Sequence, residues 1–133
     1  MTTGNAEIVR RGYEAFNRGD TEGMTADLAP GFEYRGTGSV PGVPVEFRGA
    51  DGWIQAVSWL RDEFDDPTVE VRELLERDDR VLANVVLHGR GKQSGAGASW
   101  ELWQVWAFLD DKVVRGQAVM TREQAFELAG ISE

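Results

Sequence analysis

Four polar side chains in this sequence could orient a small molecule or move a proton on it. His88 is the only histidine in the chain, and imidazole is the side chain whose ordinary pKa lies nearest neutral pH. Asn84 shares its predicted strand face, because residues an even number of positions apart on a strand point to the same side. Gln104 lies among large apolar residues, so its amide needs a hydrogen-bond partner. Tyr34 adds a hydroxyl, and the four groups together suit acid-base catalysis or ligand orientation.

Aromatic residues are numerous enough to build either a packed core or an apolar cavity. The chain contains 5 Trp, 6 Phe and 2 Tyr. Trp106 shares the predicted face of Gln104, whereas Phe16 and Tyr13 recur at helical spacing in one segment and Trp53 begins such a pattern in another. Aromatic residues more often form core than a ligand-binding box, and for Tyr13 we favour a packed ring with its hydroxyl in water. Some of the tryptophans must nevertheless line a cavity if one exists.

Composition and charge exclude several classes of function. The chain has no cysteine, which removes disulfides, thiolate nucleophiles and thiolate metal sites. The 14 Lys and Arg against 23 Asp and Glu give a formal net charge of -9, which disfavours nucleic acid and anionic membranes as partners. A single histidine without a carboxylate constellation on its strand face predicts no metal site. No glycine-rich phosphate loop stands between a strand and a helix, so we predict no cofactor.

The length and the amino terminus bound the organisation of the chain. A length of 133 residues fits a single domain, which we predict to cover residues 1–133. The first ten residues include charged side chains and contain no apolar run, so we predict neither a signal peptide nor a membrane-spanning segment. A cytoplasmic location is the default that follows.

The sequence predicts three helices in the first half of the chain, which would help to position the candidate polar and aromatic side chains. Asn5 can cap a first helix that Gly19 ends. A short second helix is predicted over Thr21 to Ala29, because Pro30 cannot continue it. A third helix, which we expect to be the best packed, follows from apolar residues spaced by four, three and four positions, namely Trp53, Val57, Leu60 and Phe64.

The rest of the sequence predicts strands and one last helix. Phe32 to Arg35 predicts a short strand, and the Gly- and Pro-rich segment Gly36 to Gly49 predicts a long loop. Alternating apolar residues predict four long strands, which begin after Pro67 and continue at Arg80 to Arg90, Trp100 to Leu109 and Val113 to Thr121. Thr121 with Gln124 three residues later has the spacing of a capping box, which predicts a short final helix.

One predicted strand carries a continuous apolar row on one face, formed by Val81, Ala83, Val85 and Leu87. Trp103 and Val105 occupy the corresponding face of another strand. Because an apolar sheet face of that width is rarely left in water, we predict that it forms the interface of a homodimer.

The order of the predicted elements resembles the nuclear transport factor two-like superfamily, which includes SnoaL-like proteins. The stretch from Tyr13 to Asp20, YEAFNRGD, resembles the junction between its first two helices. Phe47 to Gly49 resembles its entry to the third helix, and Asp111 to Arg115 with Glu123 to Ala125 resembles its last hairpin and tail. The resemblance implies an α+β fold of the cystatin-like type, in which a cone-like, curved, mostly antiparallel sheet wraps around about three N-terminal helices and a short C-terminal helix follows.

Enzymes of this superfamily, among them ketosteroid isomerases, limonene epoxide hydrolases, scytalone dehydratases and polyketide cyclases, act on apolar ring compounds. The isomerase tyrosine falls on Gly12, its general base falls near Gly36 and its hydrogen-bonding acid falls near Gln104, so a steroid isomerase mechanism is disfavoured. The arginine and two aspartates of the epoxide hydrolase are absent too, since their positions hold Val86, His88 and Ala118. Tyr34, however, matches a tyrosine position that the epoxide hydrolases use.

These observations predict a SnoaL-like protein with an apolar pocket for a cyclic small molecule. We predict His88 and Tyr34 as catalytic residues, and as ligand-binding residues Tyr13, Phe16, Trp53, Asn84, Gln104 and Trp106. The function predicted is either that of a cofactor-independent isomerase, cyclase or dehydratase, or that of a non-catalytic carrier or sensor. A third alternative is an interaction module whose cavity is filled by its own tryptophans.

Overall fold

A computed structural model describes residues 4–38 and 45–130 of the chain. Its elements are, in chain order, α1 (Asn5–Arg18), α2 (Thr21–Thr25), β1 (Leu28–Arg35), β2 (Glu46–Arg48), α3 (Gly49–Glu63), β3 (Phe64–Arg77), β4 (Arg80–Gly91), β5 (Gly97–Leu109), β6 (Lys112–Val119) and α4 (Arg122–Ala129). They confirm the predicted α+β class. Within the two described ranges, no helix is both long enough and apolar enough to span a membrane.

Helix α1 is amphipathic and ends where the sequence predicts. Gly19 adopts a left-handed conformation with φ of 74°, which glycine tolerates, and its N–H bonds back to the last turn. The predicted cap at Asn5 is wrong, because Asn5 is already the first helical residue and Gly4 precedes it without a side-chain cap. The apolar stripe of α1 is buried against the sheet, with Ile8 and Val9 at 5% and 7% exposure.

Helix α2 is shorter than predicted. Asp20 caps it by accepting from the Gly23 N–H at 3.0 Å, yet the helix ends at Thr25 and the predicted helical residues Leu28 and Ala29 belong to β1. The backbone N–H of Val113 donates to the carbonyl of Asp27 at 2.8 Å, which ties this junction to the sheet. Pro30 also favours an extended conformation in the residue before it, so pairing with the sheet replaces the last helical turn.

The six strands form one curved, open, mixed sheet in the order β2-β1-β6-β5-β4-β3. All neighbouring pairs are antiparallel except β1 and β6, which run parallel. Tyr34 in β1 stands opposite Gly116 in β6, and Trp106 in β5 stands opposite the same glycine from the other side. The register thus places these three residues side by side across three strands.

The predicted loop from Gly36 to Gly49 contains a short strand that the sequence did not indicate. Strand β2 pairs antiparallel with β1, with Phe47 opposite Tyr34. Residues 39–44 of the same predicted loop lie outside the described residues. At the other end of α3, Phe64 is the first residue of β3 and not the last helical residue, although it still packs against Val57 and Leu60.

The two faces of the sheet are covered by different helices. We call the cavity face the side that packs against α1 and bears Val81, Ala83 and Val85, which are 0%, 0% and 2% exposed. We call the outer face the opposite side, where α4 covers Leu82, Trp103 and Val105. The expectation that α3 is the best-packed helix is wrong, because α1 buries five residues and α3 buries three. The physical reason is that neither tryptophan of α3 is fully buried, since Trp53 is partly buried and Trp59 is 40% exposed.

The apolar row that motivated the homodimer prediction lies inside the chain. Val81, Ala83 and Val85 belong to the core on the cavity face, and Trp103 and Val105 are 6% and 4% exposed beneath α4. Neither row offers an exposed apolar surface to a second copy. The argument for a homodimer from these two rows therefore fails, and the oligomeric state stays untested.

Helix α4 begins as the sequence predicts and is capped at both ends. The Thr121 hydroxyl accepts from the Gln124 backbone N–H at 3.1 Å, and the Gln124 side chain accepts from the Thr121 N–H at 3.2 Å, which completes a capping box. Gly130 ends the helix with φ of 73°. The helix buries Ala125 and Phe126 against the outer face.

Candidate functional site

A cavity of about 170 Å³ lies between the cavity face of the sheet and helices α1, α2 and α3. Its wall is mainly apolar, and residues from each helix contribute, such as Ile8 and Phe16 from α1, Met24 from α2 and Val57 from α3. The strands contribute further apolar side chains, including Val85. A concave, mostly apolar wall with few polar groups is typical of small-molecule sites.

Four polar side chains of the cavity form one chain of hydrogen bonds. The Trp106 indole N–H donates to the Tyr13 hydroxyl at 2.9 Å, and that hydroxyl donates to the Gln104 side-chain oxygen at 2.5 Å. The Gln104 side-chain nitrogen donates to the Tyr34 hydroxyl at 2.7 Å. Every donor points the same way along the chain, so the bonds polarise one another toward Tyr34. Within the part of the chain that the structure describes, the Tyr34 hydroxyl proton has no acceptor.

Burial keeps both tyrosines protonated. Removal from water raises the pKa of Tyr34 to about 12, although the hydrogen bond from Gln104 acts in the opposite direction. Burial likewise raises the pKa of Tyr13 well above its ordinary value, against the lowering effect of the Trp106 N–H. At neutral pH Tyr34 is therefore a hydrogen-bond donor and not a general base.

Aromatic rings in mutual contact close one side of the cavity. We call these rings the aromatic cluster, which consists of Phe32, Tyr34, Phe47, Trp53 and Trp106. The ring of Trp53 lies 5.3 Å from that of Tyr34 and 5.9 Å from that of Trp106, measured between centroids. Phe47 stacks on Tyr34 at 4.8 Å. These separations are those of touching aromatic pairs, so the cluster is a solid wall.

Gly116 allows two of these rings to approach the same point of the sheet. A Cβ atom added there would lie 2.7 Å from Cε3 of Trp106 and 2.8 Å from Cδ2 of Tyr34, closer than real Cβ contacts. The absence of a side chain at Gly116 thus sets the position of the Tyr34 ring and of the indole that starts the hydrogen-bond chain.

Comparison with known proteins assigns the family. The sequence model of the SnoaL-like domain matches residues 9–116. The chain belongs to this family. A search of curated proteins found no significant match.

Solved structures share the fold of this SnoaL-like domain. An NTF2-like protein from Burkholderia thailandensis is 25% identical, with a TM-score of 0.81 over 94% of this chain and 98% of that one. An NTF2-like protein of unknown function from Burkholderia pseudomallei is 22% identical, with a TM-score of 0.80 over 96% and 98%. IdmH from Streptomyces antibioticus, described as a candidate polyketide cyclase, is 19% identical, with a TM-score of 0.76 over 97% and 100%.

The cavity of the SnoaL-like domain brings together six of the residues predicted to act there, namely Tyr13, Phe16, Tyr34, Trp53, Gln104 and Trp106. Their roles toward a ligand stay predictions. The interpretation of Tyr13 as a packed ring with a hydroxyl in water is wrong, since that hydroxyl bonds to both Gln104 and Trp106. Its partners lie 91 and 93 residues away along the chain, which no local pattern reveals.

Asn84 and His88 do not line the cavity, and their predicted position is corrected. Both lie on the outer face, because they alternate with Val85 and Leu87, which line the cavity. Asn84 donates to a Glu101 side-chain oxygen at 3.3 Å and to the Leu102 carbonyl at 3.4 Å. Strand β4 is buried on both sides from residue 81 to residue 86, so its alternation does not show which face holds the cavity.

His88 joins two other polar side chains on the outer face. Its Nδ1 lies 2.8 Å from the Ser99 hydroxyl and its Nε2 lies 3.0 Å from Glu70 Oε1. The pKa of Glu70 is lowered chiefly by its hydrogen bond to His88. The positive charge of Arg72 lowers it further. The imidazole is 41% exposed, so this trio is a surface network linking β3, β4 and β5.

Sequence reasoning missed Asp27, the single carboxylate among the described residues that line the cavity. It lies between α2 and β1, with its side chain 32% exposed and 3.7 Å from the Arg11 guanidinium. The signal was hidden because the predicted second helix ran through this position. In the described ranges no group of three or more carboxylate or imidazole side chains is arranged to hold a metal ion.

Proposed function

We propose that this SnoaL-like domain binds a small, largely apolar ring compound in its cavity, and that Tyr34 donates a hydrogen bond to an oxygen atom of that compound. The observation that supports this function is the one-way hydrogen-bond chain from Trp106 through Tyr13 and Gln104. It delivers a single donor to an apolar wall, where hydrogen bonds are strong and unused donors are costly. The family and the similar fold of IdmH support a small-molecule site in general.

Binding can be tested with two single-ring probes of similar shape. Acetophenone carries a carbonyl oxygen, whereas cumene replaces that oxygen with a methyl group. In Tyr34→Phe we expect acetophenone to bind about 2- to 12-fold more weakly, which corresponds to one hydrogen bond. Cumene should bind equally to both forms, and it serves as the control for any change in cavity shape. Titration calorimetry measures both ligands.

The result depends on the protonated state of Tyr34. Because burial raises its pKa to about 12, acetophenone affinity should stay constant between about pH 6 and pH 9. Loss of cumene and acetophenone binding by an equal factor in Tyr34→Phe would show that the hydroxyl contacts no ligand. Failure of both probes to bind the unaltered protein would refute the proposed cavity function itself.

Asp27 favours a second candidate function, that of an acid-base enzyme. Its carboxylate could remove a proton from the carbon next to a ligand carbonyl, while Tyr34 stabilises the enolate oxygen by hydrogen bonding. In D2O the carboxyl group of Asp27, which is 32% exposed, would exchange the abstracted proton with solvent and return a deuteron to that carbon, so the exchange is balanced and needs no cofactor. We expect NMR to show protein-dependent exchange of the acetophenone methyl protons, and Asp27→Asn to abolish it. Binding without exchange identifies a carrier or sensor.

A further inference from the structure

We infer that the cavity accepts a neutral compound of one ring with small substituents and rejects fused two-ring and three-ring compounds. This inference rests on the proposed function and names its ligand class. A volume of about 170 Å³ is close to the roughly 150 Å³ of an engineered apolar cavity that holds one benzene molecule. It is well below the range of about 300 to 1,000 Å³ typical of pockets for larger ligands.

The aromatic cluster is what limits the space. Its rings occupy the end of the cone between β1, β2, β5 and α3, and adjacent centroids lie 4.8 to 6.4 Å apart. A ligand ring stacked between two protein rings needs about 7 Å between them, twice the contact distance of carbon atoms. The cluster therefore cannot admit a ligand ring without moving, and only the space beside it remains.

Trp53 is the residue that sets the size limit. Its indole contacts the four other rings of the cluster, and it lines the cavity. Trp106 also lines the cavity, but its N–H starts the hydrogen-bond chain. The structure shows no hydrogen bond of the Trp53 indole to any described residue. Truncation of Trp53 therefore enlarges the cavity and leaves every bond of the chain in place.

The charge of the wall selects neutral compounds. Among the described residues, no lysine, arginine or histidine side chain lines the cavity, and Asp27 is the one charged group there. A ligand carboxylate or phosphate would lose its hydration without gaining a cation as partner. The net charge of -9 further disfavours the approach of an anion.

A series of aryl methyl ketones tests the size limit, because each member keeps the same carbonyl group for Tyr34. The probes are acetophenone, 2-acetylnaphthalene and 2-acetylanthracene, and the neutral charge is tested by benzoate. Titration calorimetry should show acetophenone binding, with the two-ring ketone at least about tenfold weaker and the three-ring ketone and benzoate not bound. In HSQC spectra of 15N-labelled protein, acetophenone should shift the Trp106 indole N–H and the Gln104 amide signals.

Trp53→Ala should admit the larger probe, so that 2-acetylnaphthalene gains at least about tenfold in affinity over its binding to the unaltered protein. The matched control is Trp59→Ala, since Trp59 lies in the same helix, is 40% exposed and is not part of the cavity wall. It should leave all affinities unchanged. If Trp53→Ala does not fold, Trp53→Leu provides a smaller enlargement with the same expected direction.

The outcomes separate the size limit from the function on which it rests. If the unaltered protein binds 2-acetylnaphthalene as tightly as acetophenone, or if Trp53→Ala and Trp53→Leu gain nothing, the size limit is wrong while the cavity function stands. Benzoate binding equal to that of acetophenone would overturn the preference for neutral compounds. If none of the ketones binds any form, the cavity function fails first.

Discussion

Strands β4 and β5 present two very different surfaces with the same backbone. On the cavity face, their side chains are apolar apart from Gln104, whose amide lies within the buried hydrogen-bond chain. On the outer face, part of the surface is covered by α4 and the rest carries exposed polar networks such as that of His88. Side chains two residues apart point to the same face of the sheet, whereas adjacent side chains point to opposite faces.

The difference between the two faces shows where a polar side chain is informative about function. On the cavity face the hydroxyls of Tyr13 and Tyr34 are removed from water, and this burial is the largest cause that raises the pKa of each. On the exposed part of the outer face, around His88 and Glu70, water competes with each partner, and exposed ion pairs contribute little. A histidine on the outer face is thus less informative about function than a glutamine on the cavity face.

The largest expected effect comes from deleting a ring behind the cavity. Phe32 is 0% exposed and contacts Trp53 and Trp106, so Phe32→Ala should lower the free energy of unfolding by about 3 to 5 kcal/mol. Glu33→Ala, at the next residue and on the exposed side of the same strand, should cost less than about 1 kcal/mol. Urea unfolding measures both. Equal losses would contradict the contrast between the faces.

A smaller effect should follow from adding one methyl group at the cavity face. Gly116→Ala places a Cβ against the rings of Trp106 and Tyr34, and overpacking of this kind costs about 1 to 3 kcal/mol. Gly31→Ala is the matched control, since a Cβ at that glycine of β1 meets no atom within 4 Å. Chemical denaturation should find only Gly116→Ala destabilised, with shifted HSQC signals of the Trp106 indole. An unchanged spectrum would show that the rings do not depend on this glycine.

The smallest effect is expected on the outer face and depends on pH. The pKa of Glu70 lies below its ordinary value of 4.5 in the folded protein, chiefly because His88 bonds to the carboxylate. The stabilisation is therefore present above about pH 4.5 and is lost as pH falls through the lowered pKa. Glu70→Gln should lower the melting temperature slightly at pH 6 and not at pH 3.

Glu14→Gln serves as the control for this substitution, because Glu14 is an exposed carboxylate in α1. Differential scanning calorimetry at both pH values measures the two variants. A destabilisation by Glu70→Gln that persists unchanged at pH 3 would exclude the carboxylate charge as its cause.

The order of elements could be predicted because it depends on local spacing. The repeat of apolar residues identified α1 and α3, and the spacing of Thr121 and Gln124 identified the start of α4. The short strand β2 could not be predicted, since three residues in a Gly- and Pro-rich segment form a strand only by pairing with β1. Local spacing also assigned Phe64 to α3 and not to β3, because its apolar side chain fits both the helical repeat and the strand alternation.

The candidate site was predictable only in part, for a different reason. Gln104 and Trp106 were placed on the cavity face because they share a strand face with large apolar residues, and Tyr34 because it matches a tyrosine position of the epoxide hydrolases. Asn84 and His88 were misplaced because both rows of β4 are buried near its start. The role of Tyr13 depends on bonds to β5, and the position of Asp27 depends on β1 pairing with β6. Such tertiary contacts leave no periodic signal.

The hydrogen-bond chain of the cavity also has a consequence for how the protein folds. The bond between Gln104 and Tyr34 spans 70 residues, and that between Tyr13 and Gln104 spans 91. Contacts this distant in sequence are slow to form, since the chain entropy of a large loop is lost before they stabilise anything. During synthesis, Gln104 and Trp106 leave the ribosome long after Tyr13 and Tyr34, so the two tyrosine hydroxyls lack these partners until then.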